Sequence, residues 1–369
     1  MATRQDIAAL QSCIVNWLDE SVIGVKAIAG IIGDGPSRYS KSPALWNAAF
    51  RHLGMNAIYL PFDVAEDRVG DLIHALRDSQ RFMGVNVTVP HKVRVINFVD
   101  ELDPGAARIG AVNTIVKSAE GKLIGYNTDG EGFVDSVLGP PPGGASAFMD
   151  TLNGVDVLLL GAGGSAHAVA FHVSDHIGQG KLIIANRTVE QARALAEEIC
   201  KTGHEAIAIN ESEISARAPK VGLIINCTTK GQGGIRQLAD GTATILEPYS
   251  SLAPASPPSL VDLNDPHFEA KWRTSASADI EANNQVSELL AKKIPPDTRF
   301  YDLIYHPNET VFLRHGRLTG HQTMNGKYMI VCQAVIAFCK RICQRQLQEL
   351  GRFNDQTFAE IARVMHQAW

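Results

Sequence analysis

The chain has 369 residues, more than one core usually organises, so two domains are expected. Its 45% hydrophobic and 20% charged residues are those of a globular protein, which excludes a disordered or fibrous class. A formal net charge of −5 gives no electrostatic footprint for nucleic acid or an anionic membrane, which leaves a small molecule as the expected partner. The six cysteines (Cys13, Cys200, Cys227, Cys332, Cys339, Cys343) are scattered. No histidine or cysteine cluster completes a metal site, so free thiols in a reducing, cytoplasmic setting and no metal are expected. No basic segment followed by an apolar stretch opens the chain, and the longest apolar run, Tyr328 to Cys339, is too short to span a bilayer.

Helical apolar spacing runs from about Asp6 to Leu18 (Ile7, Leu10, Ile14, Val15, Leu18). A β-branched strand over Lys26–Ile32 precedes a loop, Gly33-Asp34-Gly35-Pro36-Ser37, which continues through Arg38-Tyr39-Ser40-Lys41-Ser42-Pro43. A helix is expected from Ala44 to about Leu53, with Ser42 as its N-cap and Pro43 at its first position. Ser40 and Ser42 would then offer hydroxyls where a helix N-terminus favours a carboxylate. A strand over Ile58–Phe62 and a helix over Val69–Leu76 follow.

Gly84-Val85-Asn86-Val87-Thr88-Val89-Pro90-His91-Lys92 alternates valines with Asn86 and Thr88, the period of a half-buried strand. Pro90 ends the ladder, and Lys92 sits in the turn beyond it. An amide, a hydroxyl and an ammonium converging there suit a small polyhydroxylated acid; an ordinary strand with Lys92 in solvent is the plainer alternative. After a helix from about Asp103, Ile109–Ile115 reads as a strand with Asn113 in its middle, and Leu123–Gly130 as the next strand and its end, carrying Asp129. Alternating strands and helices predict an open α/β sheet, which binds ligands at its strand ends.

Gly139–Gly144 is a loop suited to a boundary. Val155–Leu160 is apolar but for Asp156, as a central parallel strand should be, and leads through Gly161-Ala162-Gly163-Gly164-Ser165-Ala166 into a helix. A glycine turn between strand and helix lets a pyrophosphate approach the backbone, here with Ala166 at the third glycine position. The next strand, Lys181–Ala185, ends in Asn186-Arg187-Thr188. An arginine where NAD enzymes place an acid suits the 2′-phosphate of NADP, with Glu190 nearby keeping NAD as the alternative. A strand at Val221–Asn226 is followed from Gln232 to about Asp297 by a turn-rich stretch with little helical periodicity before Val286–Lys292. Phe300–Tyr305 reads as a strand; Asn325-Gly326 precedes a helix from Lys327 to about Leu350, and Asp355–Gln367 forms a last helix.

Together these motifs resemble the shikimate/quinate dehydrogenase family. Ser40-Lys41-Ser42-Pro43, Asn86 to Lys92, Gly110 to Thr114, Asn127 to Gly130, Gly161 to Ala166, Asn186 to Thr188, Tyr301 to Tyr305 and Met329 to Ala334 occur in the family's order. The resemblance implies an α/β protein of two domains. A substrate-binding catalytic domain would comprise residues 1–135 with about 325–369. A Rossmann-type NAD(P) domain would comprise 136–324, with an insertion at about 232–297 and the site in the cleft. Lys92 and Asp129 look like the catalytic pair. Ser40, Ser42, Thr88, Asn113, Asp129, Tyr305 and Gln333 match substrate contacts, with Asn86 beside them; Leu303 and Gly326 match positions near the nicotinamide. Gly161 to Ala166 with Asn186, Arg187 and Thr188 would hold the cofactor.

Three departures stand out. Arg38-Tyr39 replaces a histidine usual before the first serine, Trp46 replaces a histidine usual after Ser-x-Ser-Pro, and Gln191 replaces an arginine usual three residues past Asn-Arg-Thr. The expected activity is NADP-linked interconversion of 3-dehydroshikimate and shikimate. The alternatives are quinate or a related cyclic acid with NAD or NADP, and a catalytically weak nucleotide and metabolite sensor. A monomer or homodimer is expected.

Overall fold

The computed structural model describes residues 2–238, 240–261 and 265–369. The chain forms two compact units, Met1–Ala147 with Tyr328–Trp369, and Phe148–Lys327. The first contains strands β1 (Ala27–Gly33), β2 (Ala57–Asp63), β3 (Phe82–Val87), β4 (Glu101–Leu102), β5 (Thr114–Lys117) and β6 (Leu123–Tyr126), in the order β2-β1-β3-β5-β6-β4. β1 is parallel to β2 and β3, while β5 is antiparallel to β3 and β6. One face carries a core with Ile28, Val85, Val87 and Ile115. The other carries Trp46, Phe50, Tyr59, Met83 and Phe338, brought by the helix Ser42–Leu53 and the C-terminal helices.

Coverage on both faces corrects the expectation of a half-buried strand, because all six β3 residues are buried and Asn86 is 7% exposed. The outer edge of β2 is closed by two asparagines. Asn47 accepts the Tyr59 N–H at 2.9 Å and donates to its carbonyl at 3.0 Å, and Asn16 accepts the Asp63 N–H at 2.7 Å and donates to the Pro61 carbonyl at 3.0 Å. A parallel edge that would otherwise offer free backbone groups to another chain is thereby satisfied within its own unit.

The first helix covers Ala2–Gln11 and ends well short of Leu18. The expected continuous helix from Lys327 to Leu350 is broken: Lys327–Ile336 is α-helical, Ala337–Ile342 widens to a π-helix, and Gln344–Glu349 resumes.

The second unit holds β7 (Val157–Leu160), β8 (Leu182–Asn186), β9 (Ala206–Asn210), β10 (Leu223–Asn226), β11 (Ile235–Gln237), β12 (Ala243–Ile245), β13 (Arg299–Asp302) and β14 (Thr323–Met324). Its main sheet is parallel throughout, in the order β14-β13-β10-β7-β8-β9. Counted from β7, that is the doubly wound order 3-2-1-4-5-6, with the strand direction of travel reversing between β7 and β10. β11 and β12 form a separate antiparallel hairpin.

The stretch 232–297 is not irregular as expected. It contains a 24-residue helix, Phe268–Ala291. Its buried positions are Phe268, Trp272, Ala276, Asn283, Ser287, Leu290 and Ala291, a helical spacing populated largely by small and polar residues. Asn283 explains why a polar residue is buried: it accepts the Ser250 N–H and donates to the carbonyls of Ser250, Ala253 and Pro254. With Ala243, Ile245, Tyr249 and Ala255 this helix builds a small core of its own. Among the described residues no helix is long and apolar enough to cross a membrane.

Where β10 and β13 end side by side, the wholly buried Asp302 receives Thr310 Oγ1 at 2.6 Å, the Ile304 N–H at 2.9 Å and Asn226 Nδ2 at 3.0 Å. Burial outweighs these donors and pushes its carboxyl up to about 7. A raised carboxyl favours the fold in its protonated form. Its contribution is therefore complete below about pH 4 and is lost as pH rises through about 7, on the order of 4 kcal/mol at ~1.4 kcal/mol per pKa unit. Asp302→Asn should flatten the dependence of the urea midpoint on pH between about 4 and 7.5; a slope unchanged from the parent would refute this account.

Candidate active site

In the first unit the polar residues that were scattered in sequence form one directional hydrogen-bond chain. Tyr59 on β2, 1% exposed, donates its phenol proton to Asn86 Oδ1 at 2.7 Å. Asn86 Nδ2 donates to Thr114 Oγ1 at 3.0 Å and to the Asn113 carbonyl at 3.3 Å. Thr114 donates to Asn113 Oδ1 at 3.0 Å, and Asn113 Nδ2 donates to Asp129 Oδ1 at 2.8 Å. Asp129 Oδ2 receives Lys92 Nζ at 2.6 Å. Each amide has its oxygen accepting and its nitrogen donating, so donation runs from the phenol to the carboxylate.

Local structure explains the placements. Asn113 lies just before β5 rather than mid-strand, with its N–H on the Tyr126 carbonyl at 3.0 Å and its carbonyl accepting the Val87 N–H at 2.8 Å. Asp129 is the first residue of the helix Asp129–Leu138, where the helix dipole favours a negative charge. Its own N–H is held by Asn127 Oδ1 at 3.0 Å. Lys92 lies in the turn after β3, with its carbonyl accepting the Val112 N–H at 2.8 Å. Gln333 joins through Thr128, whose Oγ1 lies 3.3 Å from the Gln333 carbonyl and 3.4 Å from Oε1. Thr88 enters differently: its N–H donates to the Ile32 carbonyl at 2.9 Å and its methyl packs beside Gly33.

Ser42 is not the N-cap that its neighbours suggested. The helix begins at Ser42, Lys41 precedes it without a side-chain cap, and the Ser42 N–H is taken by Ser40 Oγ at 3.2 Å. The Ala44 and Leu45 N–H groups are taken by the Lys41 carbonyl. The N–H groups of this helix end are therefore already taken within the chain. Burial holds the Tyr59 phenol well above its ordinary range, against a smaller lowering by the Ser42 hydroxyl, so Tyr59 stays neutral.

In the second unit, β7 runs into Gly161 at φ +106° and then Ala162, with Gly163 as the N-cap of the helix Gly164–His176. No side chain caps that helix, and side-chain atoms at Gly163 or Gly164 would meet nothing within 4 Å. Uncapped N–H groups behind an open glycine backbone, with Ser165 and Ala166 in the first turn, fit a dinucleotide's pyrophosphate. Asn186 ends β8; its amide donates to the Thr188 carbonyl at 3.0 Å and to Gln191 Oε1 at 2.9 Å, leaving Arg187 exposed beside it. Leu303 and Gly326 meet directly. A Cβ on Gly326 would lie 1.9 Å from the Leu303 carbonyl oxygen, so only glycine fits. Tyr305 is part-buried, which raises its phenol. Among the described residues no group of three or more His, Cys, Asp or Glu could hold a metal.

The family model described as "Shikimate dehydrogenase substrate binding domain" matches residues 31–115, and that described as "Shikimate / quinate 5-dehydrogenase" matches residues 144–240. A shikimate dehydrogenase (NADP+) of Desulforamulus reducens is 34% identical over 318 residues, 85% of this chain and 89% of that protein. The corresponding protein of Carboxydothermus hydrogenoformans is 35% identical over 86% of this chain and 92% of its own length. The chain belongs to the shikimate dehydrogenase family. A solved shikimate 5-dehydrogenase of Thermus thermophilus, in complex with NADP(H) and shikimate, has 26% identity and a TM-score of 0.60, covering 92% of this chain and 99% of that one.

Two departures from the shikimate dehydrogenase pattern now have a physical account. Trp46 does not front a carboxylate: it is wholly buried and stacks on Tyr59 with ring centroids 4.7 Å apart. The loop carrying Arg38 and Tyr39 is a short helix, Pro36–Tyr39, pinned by Asp63, which accepts the Ser37 N–H at 2.8 Å and its hydroxyl at 2.5 Å. Tyr59, Thr114 and Thr128 were not singled out from sequence. Tyr59 stood inside a strand that read as ordinary core, and only its partners on β3 reveal its polar duty. Removing its hydroxyl in Tyr59→Phe leaves Asn86 Oδ1 buried without its donor, which should cost about 1–3 kcal/mol. Thermal unfolding should show the loss and substrate KM should rise more than kcat falls; a variant with parental Tm and KM would show that the phenol positions nothing.

Proposed function

We propose that the chain catalyses reversible, NADP-dependent hydride transfer between 3-dehydroshikimate and shikimate, with Lys92 and Asp129 as the catalytic pair. The observation that carries this reading is the 2.6 Å Lys92–Asp129 contact at the end of a one-way hydrogen-bond chain. The nicotinamide, when bound, supplies the acceptor and donor of hydride. In the alcohol-oxidising direction, Lys92 takes the hydroxyl proton; in the reverse direction its ammonium returns one to the same oxygen. Asp129 spends one oxygen on Asn113 and the other on Lys92, which orients the ammonium and leaves lone pairs for a second ring hydroxyl. Asn86 and Asn113 have both amide N–H groups spent on protein acceptors, so they hold Asp129 in place and leave a ring hydroxyl only the second lone pair of Asn86 Oδ1. Ser40, Ser42, Thr88, Gln333 and Tyr305 complete the recognition of the acid, in keeping with the family's pattern.

On the nucleotide side, Gly161, Ala162, Gly163, Gly164, Ser165 and Ala166 hold the pyrophosphate, Asn186, Arg187 and Thr188 the adenosine ribose and its 2′-phosphate, and Leu303 and Gly326 border the nicotinamide. Locked groups reach reaction geometry without ordering cost at each turnover. The free cysteines suit a cytoplasmic setting, with the Cys332 and Cys339 thiols pushed up to about 12 by burial and so unreactive.

The deciding assay follows nicotinamide absorbance while crossing shikimate and quinate with NADP and NAD. Shikimate with NADP should give the highest kcat/KM; a preference for quinate would move the chain to the quinate-oxidising reading. Lys92→Ala should bind NADP as the parent does while losing at least about a hundredfold in kcat, the usual scale of general acid–base catalysis. Near-parental turnover would remove Lys92 from the chemistry. Asp129→Asn keeps the shape but not the charge and should lower kcat and raise KM together, measured in the same assay.

A further inference from the structure

The nucleotide reading leaves an imbalance of charge. The family's second arginine near the adenosine ribose is Gln191 here, and its side chain is tied to Asn186. Lys230 is no substitute. It is spent on Glu211 at 2.8 Å and on the Ala253 carbonyl at 3.0 Å. Arg236 is different. It lies on β11 of the hairpin within the 232–297 insertion, is exposed, and bonds through Nη1 to Thr229 Oγ1. Among the described residues it forms no ion pair, so it carries an uncompensated positive charge held in place by a neutral hydroxyl.

Its anchor is well placed. Thr229 belongs to the loop that leaves β10, and that loop packs on the glycine turn: a Cβ at Gly161 would stand 3.1 Å from Thr228 Cγ2 and 3.2 Å from the Cys227 carbonyl carbon. β7 and β10 flank the point where the strand order reverses, the place such sheets bind dinucleotides. The hairpin itself is not loose. Ala243 and Ile245 enter the core around Trp272, and the Gly233 N–H donates to the His306 carbonyl at 3.0 Å.

We propose that Arg236 is a nucleotide-binding residue, supplied by the insertion, whose guanidinium pairs with the 2′-phosphate of NADP alongside Arg187. The proposal rests on the NADP-linked reading above and gives the insertion a task. A planar fork with one N–H on Thr229 keeps four others for phosphate oxygens, and an unpaired arginine binds a dianion without first breaking a salt bridge.

The test is calorimetric titration of NADP and of NAD into the full chain as parent, Arg236→Ala and Arg236→Lys. Arg236→Ala should weaken NADP binding about ten- to a hundredfold and leave NAD within about twofold. Arg236→Lys should recover part of the loss, since a point charge replaces the fork. The salt dependence of NADP binding should flatten in Arg236→Ala. NADP affinity within about twofold of the parent, or an equal loss for NAD and NADP, would overturn the assignment. Binding is read without turnover, so a parent that binds NADP but oxidises no shikimate would sink the proposed reaction and leave the Arg236 result standing.

Discussion

A buried carboxylate that must be satisfied from both sides organises the first unit. Asp129 accepts Asn113 on one oxygen and Lys92 on the other, and Asn113 is itself fixed by groups further away. The chain of donors reaches back through Thr114 and Asn86 to the Tyr59 phenol. An unpaired polar group in such a place costs more than its hydrogen bond returns, so every member must be present and correctly turned. This is why the elements around it are so constrained: β5 must start after Asn113, the helix must start at Asp129, and Tyr59 must be pressed into place by Trp46.

The second unit solves a different problem. The central strands β7, β8 and β10 of its parallel sheet are buried along almost their whole length. What it offers is a bare glycine turn at the start of a helix, an arginine at the end of β8, and a carbonyl-lined corner where Gly326 meets Leu303. Asp302 braces the same region from below by tying β10, the turn after β13 and the cap of the helix Val311–Leu318 into one knot. The insertion is more than a passive loop, because it folds on its own small core and sets the hairpin residue Arg236 on Thr229 in the loop after β10.

Much of this was legible in the residues. The apolar run into Gly161–Ala166, the Asn-Arg-Thr end of the next strand and the polar residues Asn86, Asn113 and Asp129 were visible as motifs, and the α/β architecture followed from alternating strands and helices. Less legible were features whose signal is tertiary. The long helix Phe268–Ala291 hid because its buried positions include Ala276, Asn283 and Ser287, which show no apolar stripe until Asn283 is seen holding the loop at Ser250–Pro254. Ser42 reads as a cap because it stands before a proline, whereas the helix already includes it and Ser40 Oγ takes its N–H.

The sequence by itself determined the periodicities, the glycine turn and the set of polar side chains available, because these depend on local sterics and on hydrophobic spacing. Only the tertiary structure decided which of those polar groups share protons and which are already spent on neighbours. The reason is that hydrogen bonds and ion pairs act over about 3 Å, a distance set by packing between elements and not by separation along the chain.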